Sequence, residues 1–148
     1  YAAVVKGQVS LDKQLIDAPL HRYELANGER RVRVSKEGKE SKTQWNVQER
    51  FMHATLVYAS PLSGRTHQIR VHGLSIGHPL IGDEKYGHET EYKGPKARRL
   101  CLHAMRLDIP GYAPIEAPLP EDMQSIVAQL RAQKKDKEPV VFNPKDED

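Results

Sequence analysis

The apolar residues of the chain open as an unbroken run, "YAAVV", closed by Gly7, which predicts a short buried strand from Tyr1 to Val5. Arg30 to Ser35 then alternates basic residues with Val32 and Val34. After the turn "KEGK", Thr43, Trp45 and Val47 alternate again. The simplest reading is two half-buried strands joined as a hairpin, with Arg31 and Arg33 toward solvent and Trp45 in the core. A further strand, Ala54 to Ala59, stops at "SPLSG". From His67 to Ile76 the period becomes helical, with Thr66 as the expected N-cap and Gly77 and Pro79 as the stop. "RRLCLHAMRLDI", Arg98 to Ile109, reads as one more strand, with Cys101 as a structural residue inside it. A last helix starts near Pro120, carries Glu121 and Asp122 in its first turn, and shows one apolar stripe of Met123, Ile126, Val127 and Leu130. Residues 136–148 read as a charged tail. The expected architecture over 1–135 is α+β: a mixed, mainly antiparallel sheet with flanking helices.

Length and composition narrow the class. At 148 residues the chain fits one domain or one large piece of one. A single cysteine excludes an internal disulfide framework and a cysteine-based zinc cluster, and suits a reducing cytoplasm. The sequence contains no apolar run long enough to span a bilayer, so no membrane partner is expected. The net charge of +3 leans only slightly toward a polyanionic partner. A strand begins at residue 1, without methionine, and is therefore expected to pair with sheet contributed from upstream of these residues.

The densest chemistry lies in "SGRTHQIRVHGLSIGHPLIGDEKYG", Ser63 to Gly87. On a helical wheel, Ile69 and Ile76 fall on one side and Val71 and Leu74 on the other, leaving Gln68, His72 and Ser75 as a thin polar strip. A helix with so little polar surface is mostly enclosed, so Arg70 points into protein or into a cleft. Its guanidinium stays charged and needs an anion, since an unpaired buried charge costs roughly 3–5 kcal/mol. On spacing alone the partner is Asp83 or Asp108, as a structural ion pair. The alternative is a reactive carboxylate from outside these residues, which an adjacent arginine would hold ionised as a nucleophile requires.

The order of several motifs bears on that choice. "GRTHQIRVH", then "GHPLIGDEKYG", then "RRLCLHAMRLDIP…EAPLPEDM" closely resembles the RluA-type pseudouridine synthases, and "YAAVVKG", "IDAPL" and "ERRVRVSKEGKESKTQW" fit the same pattern. The resemblance runs from Tyr1 to about Met123. It implies the C-terminal portion of that family's catalytic domain. It also implies isomerisation of uridine to pseudouridine in RNA, most plainly large-subunit ribosomal RNA, without metal or organic cofactor. The family's isoleucine–arginine pair falls on Ile69 and Arg70, where the arginine salt-bridges the catalytic aspartate. The family tyrosine falls on Tyr1, where it stacks on the flipped base and is the proposed proton acceptor. The aspartate belongs to an upstream "HRLD"-like motif that these residues do not contain. "HRYEL" at His21 shares two letters but follows the tyrosine strand, in the wrong order. The implied partners are RNA and the N-terminal part of the same protein. The alternative is a catalytically inactive RNA-binding fragment.

Other residues are read against simpler roles. Arg65 and His67, at the helix N-terminus, are candidates for phosphate or base contacts or for helix-end packing. Arg31, Arg33, Lys96 and Arg98 are candidates for an RNA footprint, although a basic strand face is more often solvated. Asp83 and Tyr86 read as loop-fixing. His67, His72 and His78 do not share a helical face, and no HExxH motif is present, so no metal site is expected.

Overall fold

A computed structural model of the chain describes residues 1–87 and 89–137. Among the described residues, nine strands and two helices form an α+β fold: β1 (Ala2–Lys6), β2 (Lys13–Asp17), β3 (Leu20–Glu24), β4 (Arg30–Val34), β5 (Lys42–Arg50), β6 (Ala54–Pro61), α1 (Gln68–Ser75), β7 (Leu102–His103), β8 (Arg106–Leu107), β9 (Ile115–Glu116) and α2 (Glu121–Lys137). The main sheet has the order β2-β5-β6-β1-β7, with antiparallel pairing throughout.

The unbroken apolar run of β1 follows from its place in that sheet. Ala2 to Val5 are fully buried, because both faces of the strand are covered. Val4 joins Leu56, Phe51 and the α2 stripe Met123, Ile126, Val127 and Leu130 on one face. Ala3 and Val5 join Trp45, Val57, Ile69 and Leu80 on the face toward α1. The alternation at β6, Leu56 one way and Val57 the other, is the period-2 consequence of the pleat. β1 is also paired on both edges within this chain, by β6 and by β7 together with Pro79–Ile81. The expectation that it needs outside sheet is corrected.

The hairpin expected from β4 and β5 does not form. β4 pairs with β3, and β5 pairs with β2 and β6. The segments "KQLID" and "LHRYE" bury one residue each, Ile16 and Leu20, and so show no readable period. They nevertheless provide each strand with a partner, and the two sheets diverge at the Leu20–Lys39 bridge. The β3–β4 hairpin packs on α1 through Leu20, Val32, Val71 and Tyr86. The strand expected over 98–109 also divides. β7 ends in the main sheet, while β8 pairs with β9 in an exposed ribbon where Leu107 and Ile115 lie in solvent. The expected tail begins inside α2, which takes residues 136 and 137; from 138 onward it lies outside the described residues.

Helix α1 ends as expected. Gly77 takes φ +83°, its N–H reaches Leu74 O (3.0 Å) and the His78 N–H reaches Gly73 O (2.8 Å), a Schellman closure that needs a left-handed residue. Its polar strip, however, is inverted. Gln68 and His72 are buried and Leu74 is exposed. The reason is Thr43 of β5, fully buried beneath the helix. Gln68 Nε2 donates to Thr43 Oγ1 (3.0 Å) and to Lys42 O (2.8 Å), Thr43 Oγ1 lies 2.7 Å from His72 Nδ1, and His72 Nε2 lies 2.9 Å from Ala18 O. A carbonyl only accepts, so Nε2 carries the proton and Nδ1 accepts from Thr43. The chain of donors runs from Gln68 to Ala18 with each polar atom answered.

Burial pushes the His72 pKa down, against the Ala18 hydrogen bond and the nearby Asp17 charge, which pull it up. A depressed folded-state value means the unfolded chain binds the proton more readily. The stability from the neutral ring is therefore present above about pH 6.5 and is lost as pH falls from there through the folded-state value. Two results are expected in urea unfolding. Thr43→Val lowers stability by about 1–3 kcal/mol, because it strands the Gln68 and His72 groups. The acid loss below about pH 6.5 is reduced in His72→Gln, which cannot titrate there.

Candidate active site

Three segments meet at the start of α1. The loop from Pro79 to Gly87 lies under the helix, Tyr1 extends the edge of β1, and Leu100 and Leu102 lead into β7. The loop is set by Gly82, whose φ is +81° and where a Cβ would stand 2.2 Å from Arg99 O. No side chain fits that approach. The following residue, Asp83, is thereby aimed at α1, and its carboxylate is fully enclosed.

Arg70 meets it edge on. Nε donates to Oδ2 and Nη2 to Oδ1, both at 2.8 Å, the bidentate geometry that a guanidinium and a carboxylate share. Oδ1 also accepts the N–H groups of Lys85 and Tyr86, each at 3.1 Å. Burial alone would raise the Asp83 pKa, but the Arg70 hydrogen bonds and those two N–H groups hold it below the usual carboxylate value. The Asp83 bond likewise raises Arg70, against its own burial. The Tyr86 ring lies against the guanidinium with Cζ 5.0 Å from its centre. Asp83 and Tyr86 thus fix the loop as expected, and Asp83, not Asp108, is the in-chain partner. Asp108 pairs at the surface with Arg106. Nη1 of Arg70 makes no hydrogen bond among the described residues, so one edge of the guanidinium stays uncommitted.

The expected N-cap is corrected as well. His67, not Thr66, occupies the cap position in a left-handed conformation (φ 54°, ψ 23°), without a side-chain cap bond. Gln68 does the local fastening, its Oε1 accepting from Ser63 Oγ (2.8 Å) and Arg65 N (3.2 Å).

A cleft of about 360 Å³ opens here, and Tyr1, Arg65, His67, Ile69 and Arg70 all line it. Tyr1 is 43% exposed, and its backbone is pinned by two 2.8 Å bonds with Ala59. Ile69 is buried in the core behind the cleft. Arg65 is exposed and donates to Glu40 O. The remaining expected residues lie elsewhere. Arg31 is not solvent-facing: it donates to Lys85 O (3.2 Å) and sits 3.4 Å from Glu29, beside a groove behind the β3–β4 hairpin. Arg33 is exposed and stacks on Tyr23, 5.2 Å from its ring centre. Lys96 and Arg98 border a separate cavity against α2. Leu100 and Leu102, which complete the cleft, were missed. Their period-2 spacing in "RRLCLH" was the available signal. The three histidines go to separate partners: His67 to the Tyr86 hydroxyl, His72 to Thr43 and Ala18, and His78 to Lys6 O.

The ion pair makes a stability prediction. Asp83→Ala leaves Arg70 without its carboxylate and is expected to cost about 3–5 kcal/mol. The double variant Arg70→Met/Asp83→Leu is expected to recover only the part due to the unpaired guanidinium, since the Lys85 and Tyr86 N–H groups still lack their acceptor, and a double-mutant cycle by urea unfolding reads the coupling.

No family model matches the chain. It is 44% identical over 142 residues to a protein of Haemophilus ducreyi named ribosomal large subunit pseudouridine synthase C, covering 90% of this chain and 44% of that relative. It is 43% identical over 141 residues to the protein of the same name from Escherichia coli K12, covering 88% of this chain and 44% of the relative. The chain thus spans less than half the length of these curated relatives. Among solved structures, human RNA pseudouridylate synthase domain containing 1 superposes with a TM-score of 0.67 at 25% identity, over 88% of this chain and 64% of that one. On sequence identity and fold together, the part of the protein that this chain spans is similar to pseudouridine synthases.

Proposed function

We propose that the protein isomerises uridine to pseudouridine in RNA, with large-subunit ribosomal RNA as the substrate. The observation that carries this reading is the meeting of Tyr1, Ile69 and a half-committed Arg70 in one cleft. Asp83 grips the Nε/Nη2 edge and fixes the guanidinium, and Nη1 is left to hold a second carboxylate. In this reading that carboxylate is the nucleophilic aspartate, supplied by sequence upstream of these residues. The positive charge keeps it ionised for attack on the nucleoside. The C1′–N1 bond breaks as the aspartate takes the sugar, the uracil turns, C5 bonds to C1′ as the aspartate leaves, and the C5 proton passes to Tyr1 while N1 takes up a proton. These steps need no cofactor.

The target base must leave its helix, at a cost of a few kcal/mol. Stacking on the Tyr1 ring returns about 1–3 kcal/mol, and Ile69 forms an apolar wall behind it. Arg65 stands at the cleft mouth as a phosphate contact. Arg31, Arg33, Lys96 and Arg98 extend the basic surface over which RNA is held, the long-range part of the binding. The names of the relatives support ribosomal RNA as the partner; in this reading the N-terminal part of the same protein is the other partner and the cytoplasm the place of work. No described helix is long and apolar enough to cross a membrane.

The test uses full-length protein and pseudouridine formation in ribosomal RNA. Arg70→Lys keeps a cation for Asp83 but cannot serve two carboxylates with a planar fork. It is expected to fold and to lose about 10²–10³ in kcat. Tyr1→Phe is expected to keep RNA affinity and lose turnover, while Tyr1→Ala weakens binding by about 1–3 kcal/mol. Unchanged turnover in Arg70→Lys would refute the role given to Arg70. RNA binding without any turnover in the wild type would identify an inactive RNA-binding protein.

A further inference from the structure

Within the described residues, His67 is the one non-glycine residue with positive φ. Histidine tolerates this conformation better than most residues, yet it remains an uncommon one. It turns the imidazole under α1 and against the Tyr86 ring, with ring centres 5.4 Å apart at an interplanar angle of 69°. His67 Nδ1 lies 2.7 Å from the Tyr86 hydroxyl, and that hydroxyl accepts the Val32 N–H at 3.0 Å.

With the Tyr86 hydroxyl donating to His67, these two contacts give one arrangement of the protons. Val32 N–H can only donate, so the hydroxyl oxygen accepts it. The hydroxyl hydrogen then has one acceptor among its partners, Nδ1 of His67. In that arrangement Nδ1 is unprotonated, and the ring's proton sits on Nε2, which makes no hydrogen bond among the described residues. His67 lines the same cleft as Tyr1 and Arg70.

We propose that His67 binds the target nucleotide as a hydrogen-bond donor, presenting Nε2–H to a carbonyl oxygen of the base in the cleft. This rests on the functional reading above and adds the atom that reads the base. A neutral donor suits a neutral carbonyl, whereas a cationic ring would suit a phosphate. The groups facing His67 favour the neutral form. Burial lowers its pKa first, then the charges of Arg70 on α1 and Lys85 on the loop, with Asp83 opposing. Tyr86 and the cleft residues Tyr1 and Arg65 complete its surroundings. Uracil presents two carbonyl oxygens, so such a donor orients the ring without depending on pH near neutrality.

The test is NMR of full-length protein carrying ¹⁵N-histidine, with and without a short RNA stem-loop containing an unpaired uridine. The free protein is expected to show His67 as the neutral Nε2–H tautomer at pH 7, and Tyr86→Phe is expected to give a mixture of tautomers. Adding the RNA is expected to shift the Nε2–H proton. His67→Asn keeps a residue at ease in the left-handed turn but is too short to reach the base. It is expected to bind this RNA about tenfold more weakly, with a urea midpoint lowered by no more than the loss of the Tyr86 contact lowers it in His67→Ala. An Nδ1–H tautomer, a ring cationic at pH 7, or RNA affinity that climbs as His67 protonates would overturn the proposal, the last two in favour of a phosphate contact. RNA that binds with His67 unmoved overturns this inference alone. RNA that fails to bind overturns the functional reading beneath it.

Discussion

The grip of Asp83 on Arg70 organises the structure around the cleft. A guanidinium cannot give up its charge, so its burial dictates where a carboxylate must be. Here that demand is met from a loop thirteen residues further along the chain, and the loop is tied in turn to the helix. Tyr86 covers the guanidinium face and also reaches back to Val32 of the β3–β4 hairpin. One ion pair therefore fastens α1, the 79–87 loop and the hairpin together. The geometry is asymmetric, since a carboxylate binds one edge of the fork and leaves the other edge available. A structural pair and a functional arginine are usually treated as alternatives. Under the proposed function, one residue serves as both.

The long buried elements were legible in the sequence because their patterns are strong. The run at β1, the alternation at β6 and the stripe of α2 each follow from burial on known faces. Arg70 was legible for a different reason: the wheel left it no route to solvent. What could not be read was pairing. "KQLID" and "LHRYE" carry a single buried residue each, so nothing in their pattern announces β2 and β3 or shows that they separate β4 from β5. The split of residues 98–109 was hidden similarly, since an exposed ribbon and a sheet edge have the same alternation. In the candidate site, Tyr1, Ile69 and Arg70 came from motif order, and their sharing of one cleft is a finding of the fold. Arg31, Lys96 and Arg98 shared only a charge sign with the cleft residues, and charge sign carries no position.

The inverted polar strip of α1 shows how a correct period can give a wrong face. Gln68 and His72 sit where a surface helix would place them toward water. Thr43 turns that expectation around, because its buried hydroxyl answers the Gln68 donor and the His72 ring nitrogen and leaves neither group unsatisfied in the interior. The helix is thus held by directional bonds on its buried side, which fixes its rotation more tightly than apolar contacts would. That rotation sets where Arg70 and His67 point.

The absent side chain at Gly82 has reach beyond its own turn. Backbone lies against backbone there, and Cys101 N–H closes on Ile81 O beside it at 2.9 Å. The strip leading to Leu102 and the strip carrying Asp83 are consequently one rigid seam. Both walls of the cleft are indexed to that seam, so its aperture is governed from behind, by residues no nucleotide would ever meet.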